Sequence, residues 1–451
     1  MSTRSSIFDK LTDTTKLCVT LFILELFIYA LTIFDWSYGI LRGVIIIILL
    51  LFLILSRSFE HSSNYYIKTI STRLNVVALL AGLSTIALSA YAIDKTLQTG
   101  KIELDQGETA WRSARLLAIG RNPYGYGEIV DYYVYAHNLD NLSKNGLGPE
   151  VNKAKLLDSL IEYDRTLDPT LRHRLLPIET KIGSTRPLEV NILGYKYGPL
   201  APIILFPFVH LGISAIVPTL NNIACIGMFI TLFFIMYNST NNLQCSLIGL
   251  IVLFMDPAIR MYYILLTAND VWPLLFCSIC VYFYYKGKMN LCAIFLAIAF
   301  CFKIIPSVLF VPLLLKSRSP LPVSLFLGVV AIIYGPMFFW DPIGIFYNVL
   351  LWPILIPKDN SSWIFYVPPY LSLIATSLAF AGIITLWFRF LAGHETRLFW
   401  TLAVVNLLVI LVAPVFHTNY LPWTSIWIVA ALVEGTPIRT RASVLGSALS
   451  A

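Results

Sequence analysis

A pair of carboxylates stands at the start of the longest polar region of this chain. Asp105 and Glu108 open the stretch 102–124, which otherwise has the spacing of a short amphipathic helix. An ionised carboxylate is the group that a general base for a sugar hydroxyl requires. The D-x-x-E spacing is equally typical of a helix start, with Asp at the N-cap and Glu three residues later. The two roles are compatible, because a carboxylate at a helix N-terminus stays ionised.

A lysine interrupts one of the apolar segments. Lys303 lies in the sequence A-I-A-F-C-F-K-I-I-P-S-V-L-F-V-P, and a charge at the centre of a bilayer costs about 2.5–3.5 kcal/mol on insertion scales. Two roles are open for it. Its ammonium can reach the membrane surface along its own side chain, or it can face a cavity and bind a phosphate. Pro306 predicts a disturbed helix close to this lysine.

Other polar residues inside apolar sequence are expected to reach the same side of the membrane as Asp105 and Lys303. They are Asn269 and Asp270, the segment K-D-N-S-S-W at 358–363, and His417 with Asn419. Each has a local alternative, since the first pair can cap the next helix and the last can form a turn at the interface. Polar groups that converge from distant parts of a sequence are nevertheless typical of a site.

Aromatic residues flank several of these positions. Tyr195 and Tyr197, with several tryptophans, are the residue types that form the aromatic belt of a membrane protein. Aromatic faces also bind sugar rings and isoprenoid tails, so some of them can line a groove.

Composition places the chain among multi-span membrane proteins. Only 13% of its residues are charged and 57% are hydrophobic, whereas a soluble domain has about 25% charged residues. The sequence therefore predicts an all-α polytopic membrane protein with about 11–13 transmembrane helices and a large outer loop that contains amphipathic helices. The net charge of +7 follows the loops between these helices, which argues against a nucleic-acid partner.

The positive-inside rule orders the chain into five parts. Residues 1–74 form an extra transmembrane hairpin (17–56) and a cytoplasmic loop, 75–93 cross outward, 94–198 form the outer loop, 199–433 the transmembrane bundle, and 434–451 a cytoplasmic tail. Within the outer loop, helical spacing is present at 105–119 and 150–167. A consistent count of crossings requires residues 199–218 to dip into the outer leaflet and the span at 291–315 to break at Lys303.

Cysteine and histidine spacing predicts no disulfide framework and no metal site. All seven cysteines lie in apolar segments, and the C-x-x-C pair Cys277 and Cys280 is interpreted as helix packing. The six histidines show no ligand spacing. Neither a metal nor another cofactor is expected.

The order of these motifs resembles that of the GT-C membrane glycosyltransferases. The matching residues are Asp105, A-R-L-L-A-I-G at 114–120, N-P-Y at 122–124, Y-K-Y-G-P-L at 195–200 and F-K-I-I-P-S-V-L-F-V-P-L-L-L at 302–315. The chain looks most like the bacterial polyprenyl-phosphate-mannose-dependent mannosyltransferases, and it departs from them in the hairpin 17–56 and in the long segment between Tyr124 and Tyr195.

This resemblance implies transfer of a sugar, mannose or another hexose or pentose, from a polyprenyl-phosphate donor to a lipid or glycan acceptor. The reaction would invert the anomeric carbon, on the outer face of a membrane, most simply the plasma membrane of a bacterium. Asp105 would be the base, Lys303 would bind the donor phosphate opposite it, and His417 would be a second phosphate contact. Candidate substrate contacts are Glu108, Arg112, Asn122, Tyr124, Tyr195, Tyr197, Asn269, Asp270 and Asn419.

Two other classes of function fit the composition. A transporter or flippase of a lipid-linked intermediate would also have broken helices, but it commonly contains repeated halves, and no repeat is visible here. A structural or assembly protein has no evident use for Lys303. The long outer loop with its carboxylates favours an enzyme.

Overall fold

The computed structural model describes the greater part of the chain from residue 71 onwards, and the statements below concern those residues. The described residues are 71–99, 102, 105–118, 120, 122–124, 177–180, 188–191, 195–266, 268–317, 319–351, 362–394, 397–414 and 418–435. The predicted hairpin 17–56, the helix 150–167, most of the segment 358–363 and the end of the tail lie outside them.

The described chain is helical, with one short hairpin of strands. Strand β1, Pro177–Thr180, pairs antiparallel with β2, Leu188–Asn191, within the outer loop. The α-helices are α1 Ser71–Thr99, α2 Asp105–Ala118, α3 Leu200–Val209, α4 Ile216–Thr240, α5 Leu243–Met255, α6 Val271–Tyr285, α7 Met289–Phe302, α8 Ile304–Val308, α9 Pro312–Leu315, α10 Leu321–Trp340, α11 Pro342–Ile345, α12 Pro369–Leu391, α13 Leu398–Val412 and α14 Pro422–Glu434.

Three of these helices are long and apolar enough to cross a membrane: α4, α10 and α12. A fourth span results if α5 is joined to the π-helix Ile259–Leu265, which is bent from it by 68°. Shorter apolar helices, including α6, α7, α13 and α14, pack among them. The composition-based expectation of a polytopic membrane fold is therefore consistent with the helices that the structure describes.

Helices α6 and α7 form a hairpin that separates two chemically different ends of the molecule. They are joined by Lys286-Gly287-Lys288, where Gly287 has φ +68°, a conformation that residues with a Cβ rarely adopt. Asp270 precedes α6 and Lys303 follows α7, so both lie at the opposite end from the basic turn. With 14 residues, α7 is about 21 Å long, whereas the hydrocarbon core of a bilayer is about 30 Å thick. A helix of this length is too short to cross the hydrocarbon core by itself.

The predicted break at Lys303 is present, and the chain reverses there. Lys303 has extended backbone angles (φ −154°, ψ 116°) between α7 and α8. Helices α8 and α9 then return to Lys316, whose ammonium donates hydrogen bonds to the carbonyl oxygens of Phe390 (3.0 Å) and Leu391 (3.2 Å) at the end of α12. Arg389 lies at that same end. Lys303 is therefore the apex of a second hairpin whose base is at the basic end.

A second break lies within the apolar run 245–262. The break lies at Asp256-Pro257, where proline lacks the N–H of a continuing helix and restricts the residue before it. The Asp256 carboxylate accepts hydrogen bonds from the backbone N–H groups of Ala258 (2.8 Å) and Ile259 (3.0 Å). The side chain is buried, and the broken helix leads to Asp270.

The outer helix α2 matches the predicted helix 105–119 and packs against α3. Ala110 and Ala114 are buried on its inner face, with Leu117 partly buried beside them. Small residues allow the two helices to approach closely. The predicted dip at 199–218 consists of α3 and the start of α4, with a turn at Gly212 (φ +66°) between them.

Candidate functional site

The centre of the candidate site is an ion pair between the two ends of the α6–α7 hairpin. The Lys303 ammonium contacts Oδ1 of Asp270, while Asn419 donates a hydrogen bond to Oδ2 of the same carboxylate at 2.5 Å. Asp270 is fully buried, and the Lys303 side chain is 14% exposed. Both carboxylate oxygens are thus engaged, and the Lys303 side chain is not fully enclosed.

Two tyrosine rings lie close to the Lys303 ammonium. Nζ of Lys303 lies 5.1 Å from the ring centroid of Tyr197 and 5.0 Å from that of Tyr420. These distances are within the range of cation–π attraction. Tyr263, from the π-helix, donates a hydrogen bond to the carbonyl oxygen of Asn419 at 3.2 Å. The broken span therefore supports the residue that holds Asp270.

A loop before α3 lies directly on the apex at Lys303. The backbone N–H of Gly198 donates to the carbonyl oxygen of Phe302 at 3.0 Å. A Cβ at Gly198 would come within 2.0 Å of the carbonyl oxygen of Cys301, so only glycine permits this approach. The contact fixes the position of Tyr197 next to Lys303.

The turn at 122–124 anchors this loop from the other side. Tyr124 donates its hydroxyl to the carbonyl oxygen of Tyr197 at 2.8 Å, and the N–H of Tyr195 donates to the carbonyl of Pro123 at 2.9 Å. The Asn122 side chain accepts from the N–H of Tyr124 at 2.8 Å. Asn348, after α11, donates to the carbonyl oxygen of Tyr124 at 3.2 Å. The motifs at 122–124 and 195–200, which are distant in sequence, thus contact each other directly.

Burial keeps two of these phenols neutral. It raises the pKa of Tyr124 well above its ordinary value, with a smaller contribution from neighbouring ionisable groups, and it raises the pKa of Tyr195 as well. Both side chains are about 1% exposed. They support the loop, and neither is available as a base near neutral pH.

The structure brings together some of the predicted site residues and leaves others undescribed. Lys303, Asp270, Asn419 and Tyr197 meet in one cluster, and Tyr124, Tyr195 and Asn122 pack behind it. Asn269 is largely buried next to Asp270. Asp105 is the first residue of α2, but its side chain, those of Glu108 and Arg112, and all of His417 lie outside the described residues.

Three of the local alternatives can be compared with the observed contacts. Asp270 makes no side-chain cap to the N-terminus of α6, because its oxygens bind Lys303 and Asn419. The Lys303 ammonium is paired with a buried carboxylate. Asn419 is itself buried, which differs from a simple turn at the interface.

Sequence reasoning did not single out four residues that belong to this cluster or its support. Tyr420, Tyr263, Lys196 and Asn348 contact the cluster or the loop above it. The first could have been found from its position beside Asn419, and Lys196 from its place inside the Y-K-Y motif. Tyr263 and Asn348 depend on tertiary contacts that have no local signal.

The arrangement is suited to binding an anion beside aromatic surfaces. A lysine ammonium provides up to three N–H donors, of which Asp270 takes one. A site of this kind can neutralise negative charge that develops on a leaving phosphate. In the described part of the chain, no three histidine, cysteine or carboxylate side chains lie close enough together to hold a metal ion.

Comparison with known proteins assigns no family to this arrangement. No protein-family model matches the chain, and no curated protein and no solved structure is significantly similar to it.

Proposed function

We propose that this protein is a GT-C-type glycosyltransferase. It would move a sugar from a polyprenyl-phosphate donor to a lipid or glycan acceptor on the non-cytoplasmic face of a membrane. The bundle would contain about 11–13 spans, most simply in the plasma membrane of a bacterium, with the basic turns in the cytoplasm.

The observation that carries the proposal is the position and environment of Lys303. Lys303 lies at the apex of a broken helix, at the end opposite the basic turns. A charge within a membrane is costly, so such residues usually have a functional role. Asp270 compensates the charge of Lys303, and the ammonium has further N–H donors besides the one that Asp270 takes. A phosphate at the head of a membrane-embedded isoprenoid matches this combination of depth and charge.

In the proposed reaction, Asp105 and Lys303 have separate roles. Asp105 would accept the proton of the acceptor hydroxyl while its oxygen attacks the anomeric carbon. The bond from that carbon to the donor phosphate would break, and Lys303 would stabilise the negative charge on the released polyprenyl phosphate. Asp270 is unsuited to be the base because both of its oxygens are already bound. Direct displacement predicts inversion at the anomeric carbon.

One observation favours a second candidate, a transporter or flippase of a lipid-linked intermediate. The break at Asp256 bends a spanning segment by 68° and buries a carboxylate, and broken helices with buried polar residues are typical of transporters. The break also has a structural explanation, because Asp256 caps the following helical turn.

The experiment that separates the two candidates uses purified protein in lipid vesicles with radiolabelled polyprenyl-phosphate mannose and a lipid-extract acceptor. A transferase consumes the donor, releases polyprenyl phosphate and forms a labelled product of inverted configuration. Movement of intact labelled donor across the vesicle without consumption would support the transporter. A product of retained configuration would contradict the displacement mechanism.

A further inference from the structure

The positive charge of Lys303 is compensated within the site. Its ammonium is in contact with the buried carboxylate of Asp270, so the pair carries no net charge. A second positive group would strengthen the binding of a phosphate to the free N–H donors of Lys303, because the attraction between opposite charges is what offsets desolvation. The same loop that covers Lys303 contains such a group.

Lys196 lies beside the same tyrosine ring as Lys303. Its Nζ is 5.6 Å from the ring centroid of Tyr197, and Nζ of Lys303 is 5.1 Å from the same centroid. The two ammonium groups are therefore no farther apart than the sum of these distances. In the part of the chain that the structure describes, Lys196 makes no hydrogen bond or ion pair, and its side chain is only partly exposed.

We propose that Lys196 is a second donor-binding residue, which contacts the phosphate of the polyprenyl donor beside the Tyr197 ring. The inference rests on the proposed function and adds a residue to its donor site. Lys196, Lys303 and Asp270 together carry one net positive charge. A polyprenyl phosphate joined to a sugar is a phosphodiester with one negative charge, so the three residues match it.

The backbone around Lys196 is fixed although its side chain is long. The carbonyl of Tyr197 accepts from Tyr124, and Gly198 is held against the apex of the hairpin. A lysine on a fixed backbone has a limited reach, and its four-carbon stem allows the ammonium to turn toward a ligand beside Tyr197. Both lysines would then bind the ligand next to the Tyr197 ring.

The test measures binding without requiring the identity of the sugar. The protein in lipid nanodiscs is titrated with a long-chain polyprenyl phosphate and, separately, with the uncharged polyprenol. Lys196→Gln removes the charge and Lys196→Arg retains it. Lys303→Gln serves as the reference variant, and Lys288→Gln, at the exposed basic turn of the opposite end, is the matched control.

Lys196→Gln is expected to weaken polyprenyl-phosphate binding by about tenfold, equivalent to the loss of one charge-assisted contact. Polyprenol binding should not change, Lys196→Arg should bind nearly as wild type does, and Lys288→Gln should have no effect. Increasing salt should weaken the wild type more than Lys196→Gln.

Two results would overturn the inference alone. In the first, Lys303→Gln loses affinity while Lys196→Gln binds as wild type does. In the second, the arginine and glutamine variants at 196 are weakened equally, which would show that charge is not the cause. If the wild-type protein does not prefer polyprenyl phosphate to polyprenol, both this inference and the proposed function are wrong.

Discussion

Lys303 and Asp270 depend on each other for their stability inside an apolar environment. Asp270 is fully buried, and removal of one partner from a buried ion pair typically costs about 3–5 kcal/mol. Asn419 and Tyr263 extend the same network to the broken span. The pair therefore has a structural role as well as the proposed role in donor binding, and the two can be separated by substitution.

Asp270→Asn should lower the free energy of unfolding by about 3 kcal/mol, because an amide retains only one of the two accepting oxygens and leaves the Lys303 charge uncompensated. The double variant Lys303→Gln with Asp270→Asn should regain most of that stability, since no charge remains, while donor binding stays weak. Thermal unfolding in detergent, beside a polyprenyl-phosphate titration, measures both effects. A double variant as unstable as Asp270→Asn would show that the charge balance is not what stabilises this cluster.

Tyr124→Phe should weaken donor binding several-fold and reduce the free energy of unfolding by about 1 kcal/mol, the usual contribution of one hydrogen bond. The hydroxyl of Tyr124 positions the Tyr197 carbonyl, and through it the ring beside Lys303. Because burial raises the pKa of Tyr124, this hydrogen bond should persist up to at least about pH 10, the ordinary pKa of the phenol. Tyr370→Phe, at a side chain that is 63% exposed, is the control, and equal behaviour of the two variants would contradict this role.

At the scale of residues, the sequence predicted several polar residues of the site but did not predict which groups they contact. Lys303, Asp270 and Asn419 are conspicuous because polar residues are rare in apolar segments. Their pairing depends on how α6, α7 and the residues before α14 meet, and sequence spacing does not contain that information. Asp105 was expected opposite Lys303, whereas the carboxylate that contacts Lys303 in the described structure is Asp270.

At the scale of elements, the site depends on the approach of one loop to the apex of a helical hairpin. The loop at 195–200 touches the backbone of α7 at its last turn. It is held on its outer side by the turn at 122–124. The contact links the turn at 122–124 to Lys303, so a displacement of the loop should change the site as a whole.

Gly198→Ala should displace this loop and strongly weaken donor binding, because its Cβ would lie 2.0 Å from the Cys301 carbonyl oxygen. The matched control is Gly328→Ala in α10, where a Cβ would meet no atom within 4 Å and alanine favours the helix by up to about 1 kcal/mol. Melting temperature and polyprenyl-phosphate affinity should fall for the first variant and not for the second. Normal affinity in Gly198→Ala would show that the loop tolerates displacement.

Element prediction succeeded where the local pattern and the tertiary contacts agree. The helix at Asp105 and the break at Lys303 follow from amphipathic spacing and from the combination of Lys303 with Pro306. The break at Asp256 was missed because the apolar run continues through it, although Asp-Pro is a recognisable helix boundary. The short strands in the outer loop have no alternation long enough to be noticed.

At the scale of the whole molecule, the described helices have two distinct ends. Lys286, Lys288, Lys316 and Arg389 lie at one end, where Tyr285 also donates a hydrogen bond to Glu434. The opposite end contains Lys303 and the outer helix α2. The positive-inside rule assigns the first end to the cytoplasm, which would place the site within reach of the outer surface.

Cysteine labelling in intact cells tests this orientation. Ile343→Cys, at an exposed position next to the contact between Gly344 and Tyr124, should react with a membrane-impermeant maleimide, whereas Lys288→Cys should react only after the membrane is opened. Both substitutions are made with Cys18→Ser, because the six cysteines in the described part of the chain are buried. Labelling of both positions from the same side would contradict the two-ended arrangement.

The most direct test of glycosyl transfer compares wild type with Asp105→Asn under single-turnover conditions, with polyprenyl-phosphate mannose and a lipid-extract acceptor. Asparagine caps a helix as well as aspartate does, so the substitution removes the proposed base and retains the local structural role. Asp94→Asn, at an exposed carboxylate that accepts a hydrogen bond from Gln98 on the same helix, is the control. The account predicts that Asp105→Asn slows the release of polyprenyl phosphate by at least about a hundredfold while donor binding is retained. Release at the wild-type rate would contradict it.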